Sequence, residues 1–243
     1  MQLIKLSAID STNDFLKELS KNEALENFTT VTTEQQTKGK GQMGSTWVTE
    51  SGKNLIMSIL IKDVISKTDQ VFHLNRAVSV AIIQVLETLQ LPNLAIKWPN
   101  DIMSENKKIA GILIENRFKS DTSIESVVGI GLNVNQKNFS LLPNASSLAL
   151  ISNKEFEIDF LLAQIVKKIK ENCMFIINNS IEKNSQLYLD YLFKKDIIMS
   201  FEDKNKNTFS GTIVGVTNEG KLEVMLDDKS IQSYGIKEIT LLY

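Results

Sequence analysis

Lys97-Trp98-Pro99-Asn100-Asp101, followed by Lys108-Ile109-Ala110-Gly111-Ile112-Leu113-Ile114-Glu115, is the stretch that decides how this chain reads. Asn100, Asp101, Lys108 and Gly111 form a polar cluster flanked by apolar runs at Leu94-Ala95-Ile96 and Ile112-Leu113-Ile114. The pattern predicts two buried strands joined by a turn that carries function. A hairpin with a solvated tip would look the same locally. An upstream segment argues against it: Gly39-Lys40-Gly41-Gln42-Met43-Gly44 runs into Ser45-Thr46-Trp47. Glycines so closely spaced do not extend a regular element, so a loop is expected there.

Outward from these two segments, the rest of the chain supplies a frame. Ser11 or Thr12 caps a short helix with Phe15, Leu16 and Leu19 on one face. The β-branched residues 29–33 read as a strand, and residues 55–61 as an apolar strand buried on both faces. Leu74, Val78, Ala81, Val85 and Leu89 recur at helical spacing before Pro92. Strands are expected at residues 94–98, 109–115 and 127–134. Ile158, Leu161, Leu162, Ile165, Val166 and Ile169 mark a second long helix, and residues 187–193 keep helical character. Beyond Lys195 the texture changes to short strands at 197–201, 209–216, 221–226 and 236–241, separated by polar or glycine turns. That spacing predicts a small β-barrel. The expected fold class is α+β: a mixed sheet with helices on one side over residues 1–194, then a small barrel over 195–243.

Composition narrows the function. The chain has 243 residues, 42% of them hydrophobic, enough for a large core. Its 27 basic and 29 acidic side chains leave a formal charge of −2, which does not suggest a nucleic-acid coat. Cys173 is the single cysteine, so an intrachain disulfide is excluded. The single histidine, His73, precedes an apolar helical run and reads as packing rather than catalysis. No apolar stretch reaches the roughly 18 residues of a membrane span, and the N-terminus lacks a secretion pattern. A cytoplasmic address is expected.

The motifs, taken together and in order, resemble those of the biotin protein ligase family. The family pattern has an opening D-S-T-N, a G-[RK]-G-x-x-G-x-x-W loop, a K-W-P-N-D segment, a K-[IL]-A-G-[IL]-L-[IV]-E strand and a G-[IL]-G-x-N segment. This chain reads Asp10-Ser11-Thr12-Asn13, GKGQMGSTW from Gly39 to Trp47, KWPND from Lys97, KIAGILIE from Lys108 and GIGLN from Gly129 to Asn133. One glycine loop alone would be weak; five motifs in order are specific. The resemblance implies an SH3-like C-terminal domain and an enzyme that activates biotin with Mg·ATP as biotinyl-5′-AMP. The biotin is then transferred to a lysine of a biotin carboxyl carrier protein or domain.

The residue roles follow from the same likeness. It implies biotin contacts at Ser11, Thr12, Gln36, Gly39, Lys40, Gln42, Lys108 and Gly111. Trp47, Asn100, Asp101, Lys108 and Asn133 are implied at ATP, with Asp101 holding Mg²⁺, in part through water. Lys108, Lys40 and Asp101 are the implied catalytic groups. The chemistry agrees with the residue types. Adenylation gathers negative charge at a carboxylate, an α-phosphate and a departing pyrophosphate, so cations and backbone N–H groups are needed and a protein nucleophile is not. Biotin's ureido ring asks for a few side chains that both donate and accept hydrogen bonds.

The loop departs from the family pattern. Many members carry further arginines where this chain has Gln42, Met43 and Ser45, so Lys40 is the loop's own cation, with Lys38 just before it. The D-S-T-N motif lies at the start of the chain, so a monofunctional form without an N-terminal DNA-binding domain is expected. DNA and membrane are not expected partners, and a monomer or homodimer is. Two other readings share parts of the pattern: a lipoate or octanoate ligase or transferase of the same fold, and a non-catalytic biotin-binding regulator.

Overall fold

A computed structural model describes residues 2–119 and 123–243. Seven strands form the first sheet: β1 (Leu3–Ile9), β2 (Thr30–Gln36), β3 (Leu55–Lys62), β4 (Ala95–Lys97), β5 (Asp101–Ser104), β6 (Lys107–Phe118) and β7 (Ile124–Leu132). Their order is β1-β2-β3-β7-β6-β5-β4. β1 and β2 run parallel, as a crossover through helix α1 (Thr12–Asn22) requires, and the remaining pairs are antiparallel. The sheet is therefore mixed.

Strand β3 lies in its interior, between β2 and β7, buried over seven of its eight residues. Alternation sends Leu55, Met57, Ile59 and Ile61 to one face, where helices α2 (Val71–Glu87) and α4 (Ile158–Ile177) cover them. Ile56, Ser58 and Leu60 point to the other face. There Leu60 packs with Leu16 of α1, Val31 and Val127 in a second, smaller core. The two long helices thus share one side of the sheet, and α1 lies on the opposite side, beside the glycine loop. Ser11 caps α1 by accepting from the Asp14 N–H at 3.3 Å.

The stretch around Lys97 is not one hairpin. Asp101–Ser104 forms its own strand, so residues 95–118 make a three-stranded meander with a first turn at Trp98-Pro99-Asn100 and a second at Glu105-Asn106. Both Glu105 and Asn106 adopt left-handed φ, 52° and 59°. The free edge of β4 is covered, because the Ile96 N–H donates to the Tyr191 carbonyl at 2.7 Å and its own carbonyl accepts from the Phe193 N–H at 2.9 Å. Helices α3 (Leu148–Ser152) and α5 (Glu182–Asp190) complete this part.

A second sheet follows: β8 (Ile198–Asp203), β9 (Thr208–Val216), β10 (Leu222–Met225), β11 (Ile231–Tyr234) and β12 (Ile239–Leu242), antiparallel in the order β11-β10-β9-β8-β12. This is the SH3-like unit. Arg76 of α2 fastens it to the first sheet. Buried to 2% exposure, its guanidinium donates to the Val216 and Thr217 carbonyls at 2.8 and 2.9 Å and to Ser185 at 3.0 Å, and lies 5.2 Å from the Phe72 ring centre. Trp98 adds a second tie, its Nε1–H donating to the Gly220 carbonyl at 2.9 Å. Gly220 has φ +87°, and a side chain there would strike the Phe72 ring.

Two outcomes follow. Arg76→Met strips donors from buried carbonyls and should lower unfolding stability by about 1–3 kcal/mol, read by urea titration. An unchanged midpoint would mean that the clamp carries no net stability. Burial pushes the Cys173 thiol up to about 12. The native protein should therefore resist alkylation at about pH 8, and the thiol should react after unfolding; mass spectrometry distinguishes the two.

Candidate active site

The face of the first sheet that carries α1 has a bare centre. Gly111 on β6 lies opposite Gly131 on β7, and Gly129 lies opposite Leu113. Gly131 and Gly129 also face Ile56 and Ser58 across β3. Directly opposed residues share a face, so the three glycines leave a strip of exposed backbone across two strands. Trp47 and Asn13 lie on that strip: a methyl on Gly131 would enter the Trp47 indole, and one on Gly129 the Asn13 amide. Gly111 is similarly close, 3.1 Å from Trp47 Cζ3 and 3.4 Å from Lys108 Nζ when a Cβ is added. A cavity of about 290 Å³ opens here, lined also by Ser11, Thr12, Gln36, Lys40, Gln42, Asn100, Asp101 and Lys108.

One wall is a network of neutral polar groups. Gln36 Oε1 accepts from the Thr12 N–H at 2.8 Å and its hydroxyl at 3.0 Å. Ser58 Oγ lies 2.7 Å from Thr12 Oγ1 and donates to Asn13 Oδ1 at 2.6 Å. The Asn13 amide donates in turn to Glu115 at 2.8 Å, and Glu115 accepts from Lys17 at 2.7 Å. Lys17 reaches Asp14 at 2.8 Å, and Asp14 binds Lys40 at 2.5 Å. Partial burial pushes the Asp14 carboxyl up, but hydrogen bonds from Lys17 and Lys40 outweigh it and hold the group below the usual carboxylate value. Burial likewise opposes the charge on Lys17, and the hydrogen bonds to Asp14 and Glu115 raise it above the usual lysine value.

The opposite wall is ionic. Lys108 Nζ lies 2.6 Å from Asp101 and 5.4 Å from the centre of the Trp47 ring. Lys107, its neighbour, points away and donates to the Pro143 carbonyl at 2.6 Å. The glycine segment closes the cavity as a compact hairpin with one 3₁₀ turn, Gln42–Gly44. The Trp47 N–H donates to the Gly39 carbonyl at 2.9 Å, and the Gly41 N–H to the Ser45 carbonyl at 2.7 Å. At its tip the Met43 carbonyl accepts from Lys237, in the turn between β11 and β12, at 3.1 Å.

The structure gathers Ser11, Thr12, Gln36, Lys40, Gln42, Trp47, Asn100, Asp101, Lys108 and Gly111 around one cavity. Gly39 and Asn133 stand behind it. Gly39 anchors the hairpin through its carbonyl. Asn133 donates to the Ser146 carbonyl at 3.0 Å, and its own carbonyl accepts from Leu148. Asn100 also holds backbone, donating to the Ile112 carbonyl at 2.5 Å and accepting from the Ile112 N–H at 3.0 Å. Asn13, Ser58, Glu115, Gly129 and Gly131 were not expected here. Their signals are visible in retrospect: Ser58 is the polar residue in an apolar strand, and Gly129 and Gly131 are spaced to share a face.

Asp101 is the carboxylate on the cavity wall. Among the described residues no group of three or more His, Cys, Asp or Glu side chains is arranged to hold a metal. A magnesium ion carried mainly by phosphates needs only one or two carboxylates, and Asp101 fits that demand.

The model of the Biotin/lipoate A/B protein ligase family matches residues 6–133, from β1 to the end of β7. The chain belongs to that family. It is similar to the bifunctional ligase/repressor BirA of Bacillus spizizenii, 30% identical across 90% of this chain and 68% of that one. It is also 31% identical to the biotin–[acetyl-CoA-carboxylase] ligase of Mycobacterium tuberculosis, over 47% of this chain and 42% of the other. The fold of the Aquifex aeolicus biotin protein ligase, solved with biotin and ATP, covers 99% of this chain and 98% of its own with a TM-score of 0.80 at 24% identity.

The bare strip can be tested at one atom. Gly131→Ala should displace the Trp47 indole and cost about 1–3 kcal/mol of biotin affinity by overpacking. Calorimetry with biotin and tryptophan emission report the two effects. Wild-type affinity with an unmoved indole would remove the strip from the binding surface.

Proposed function

We propose that this ligase activates biotin as biotinyl-5′-AMP and transfers it to a lysine of a biotin carboxyl carrier protein or domain. One observation carries the reading. In a single cavity, a bare backbone strip lies between the neutral wall of Thr12 and Gln36 and the cation Lys108. Biotin has that anatomy: a flat apolar bicycle, a ureido group with two N–H donors and one carbonyl, and a carboxylate at the far end. The dithiolane of a lipoyl group has no N–H donor or carbonyl for the Thr12–Gln36 wall. Trp47 roofs the strip, and its indole N–H is buried beside Gly131 without a partner among the described residues.

In the first half-reaction a biotin carboxylate oxygen attacks the α-phosphorus of ATP, and the bond to pyrophosphate breaks. We assign to Lys108, which lies beside Gly111, the task of meeting both the carboxylate and the α-phosphate. Asp101 orients Lys108 and is the proposed ligand for magnesium, which would neutralise the phosphates. Trp47 and Asn100 complete the nucleotide side. In the second half-reaction a neutral lysine amine of the acceptor attacks the anhydride carbonyl, loses its proton, and AMP leaves with the bonding electrons. Holding the two reactants in line supplies roughly 7–11 kcal/mol of such a barrier. We assign both ligands to residues 1–194, with residues 195–243 forming a second unit that helps seat the acceptor. Among the described residues no helix is long and apolar enough to cross a membrane.

Exchange of labelled pyrophosphate into ATP that depends on biotin tests the first half-reaction. Lys108→Ala should reduce it at least about tenfold, the loss of roughly 1.4 kcal/mol of transition-state stabilisation. Exchange stimulated by lipoate and indifferent to biotin would overturn the substrate. Full activity of the variant would remove Lys108 from its role.

A further inference from the structure

Lys40 is among the residues that line the cavity, but its charge is held by a carboxylate outside that lining. Its ammonium is bound at 2.5 Å by Asp14, which is not part of the cavity wall. Asp14 is in no position to follow Lys40 inward. It lies in the first turn of α1, and its second oxygen takes Lys17, which is itself tied to Glu115. Glu115 in turn holds Asn13 on the glycine strip. The carboxylate is therefore fixed at two points before Lys40 reaches it. Lys40 is also the one cation between Gly39 and Trp47. An anionic ligand that is to gain this charge must take it from Asp14.

We propose that Asp14 is an internal counterion that competes with the phosphate of biotinyl-AMP for Lys40, and so sets how quickly the adenylate leaves the cavity. Asp14 is a positioning residue: it acts on the ligand only through Lys40. The inference rests on the ligase reading above and adds a determinant of retention to it. Because the pair is about half exposed, at 49% and 42%, its influence is modest. Exposed pairs of this kind correspond to about a two- to fivefold change in an equilibrium or rate.

The experiment follows release of biotinyl-AMP from the full chain, made in place from biotin and Mg·ATP and measured without acceptor protein. Wild type, Asp14→Asn, Asp14→Glu, Lys40→Gln and the double variant Asp14→Asn/Lys40→Gln are compared at low and high salt. Asp14→Asn is expected to slow release by about two- to fivefold, with a smaller difference at high salt where the pair is screened. Asp14→Glu should behave as wild type, and Lys40→Gln should release faster. The decisive comparison is the double variant, which should release at the Lys40→Gln rate. Wild-type or faster release from Asp14→Asn would overturn the proposal. So would equal slowing in the Lys40→Gln background, which would make Asp14 a remote charge rather than a competitor. If Lys40→Gln leaves release unchanged, Lys40 does not hold the adenylate, and the proposal falls with that role. Failure of every protein to form adenylate would instead sink the ligase reading.

Discussion

Hydrogen in place of a side chain at Gly111, Gly129 and Gly131 is the constraint from which the cavity follows. Two neighbouring strands in mid-sheet would ordinarily bury such positions under a helix. Here α1 covers the β3 side, and over the glycines come the side chains of Trp47, Asn13 and Lys108. The cavity is thus made by omission in the sheet, while the other face of the same strands stays fully packed by Ile112, Val128 and Ile130. A rigid apolar layer behind an exposed backbone surface holds the site's dimensions without help from the residues that line it.

Polar groups have a different task. Thr12, Asn13 and Ser58 are nearly inaccessible, at 4% exposure or less, and each spends its hydrogen bonds on another member of the same chain of contacts. Buried groups of this kind are costly when unpaired, so the network fixes their orientation before a ligand arrives. The charges are less committed. Lys40 and Lys108 both rest against carboxylates on half-exposed or partly exposed surfaces. The site therefore combines a fixed neutral end with an exchangeable ionic end, which suits one substrate held throughout and another that is split and released.

Much of this was legible in the sequence, for physical reasons that differ by element. The helices around Leu74 and Ile158 were plain because burial on one face imposes a period that local residues cannot hide. The apolar strand at 55–61 was equally plain, since it is covered on both sides. Strand β5 was not. Asp-Ile-Met-Ser is short, is polar at both ends, and owes its conformation to the neighbours on either side. The hairpin at 39–47 looked like a featureless loop, because its order comes from backbone bonds that glycine sequences do not advertise. Asn133 sits in a motif, yet its contacts are with a segment more than ten residues away. The motifs named residues that gather around one cavity; which of them line it and which hold backbone required coordinates.

The strongest ties from the first sheet to the second are made to main-chain atoms, alongside side-chain contacts such as Lys97 with Tyr243 and Lys237 with the Met43 carbonyl. Arg76 takes the carbonyls of Val216 and Thr217, and Trp98 takes that of Gly220. A carbonyl is the same whichever residue carries it. At Val216, Thr217 and Gly220 the bonded atom is therefore indifferent to the side chain, although Val216 is held by burial and Gly220 by the nearness of Phe72. At those carbonyls the interface records shape and forgets identity. Its history would be written in Arg76, Trp98 and Phe72 on one side, and on the other in Gly220, Tyr243 and the buried apolar residues rather than in the residues whose carbonyls are bound.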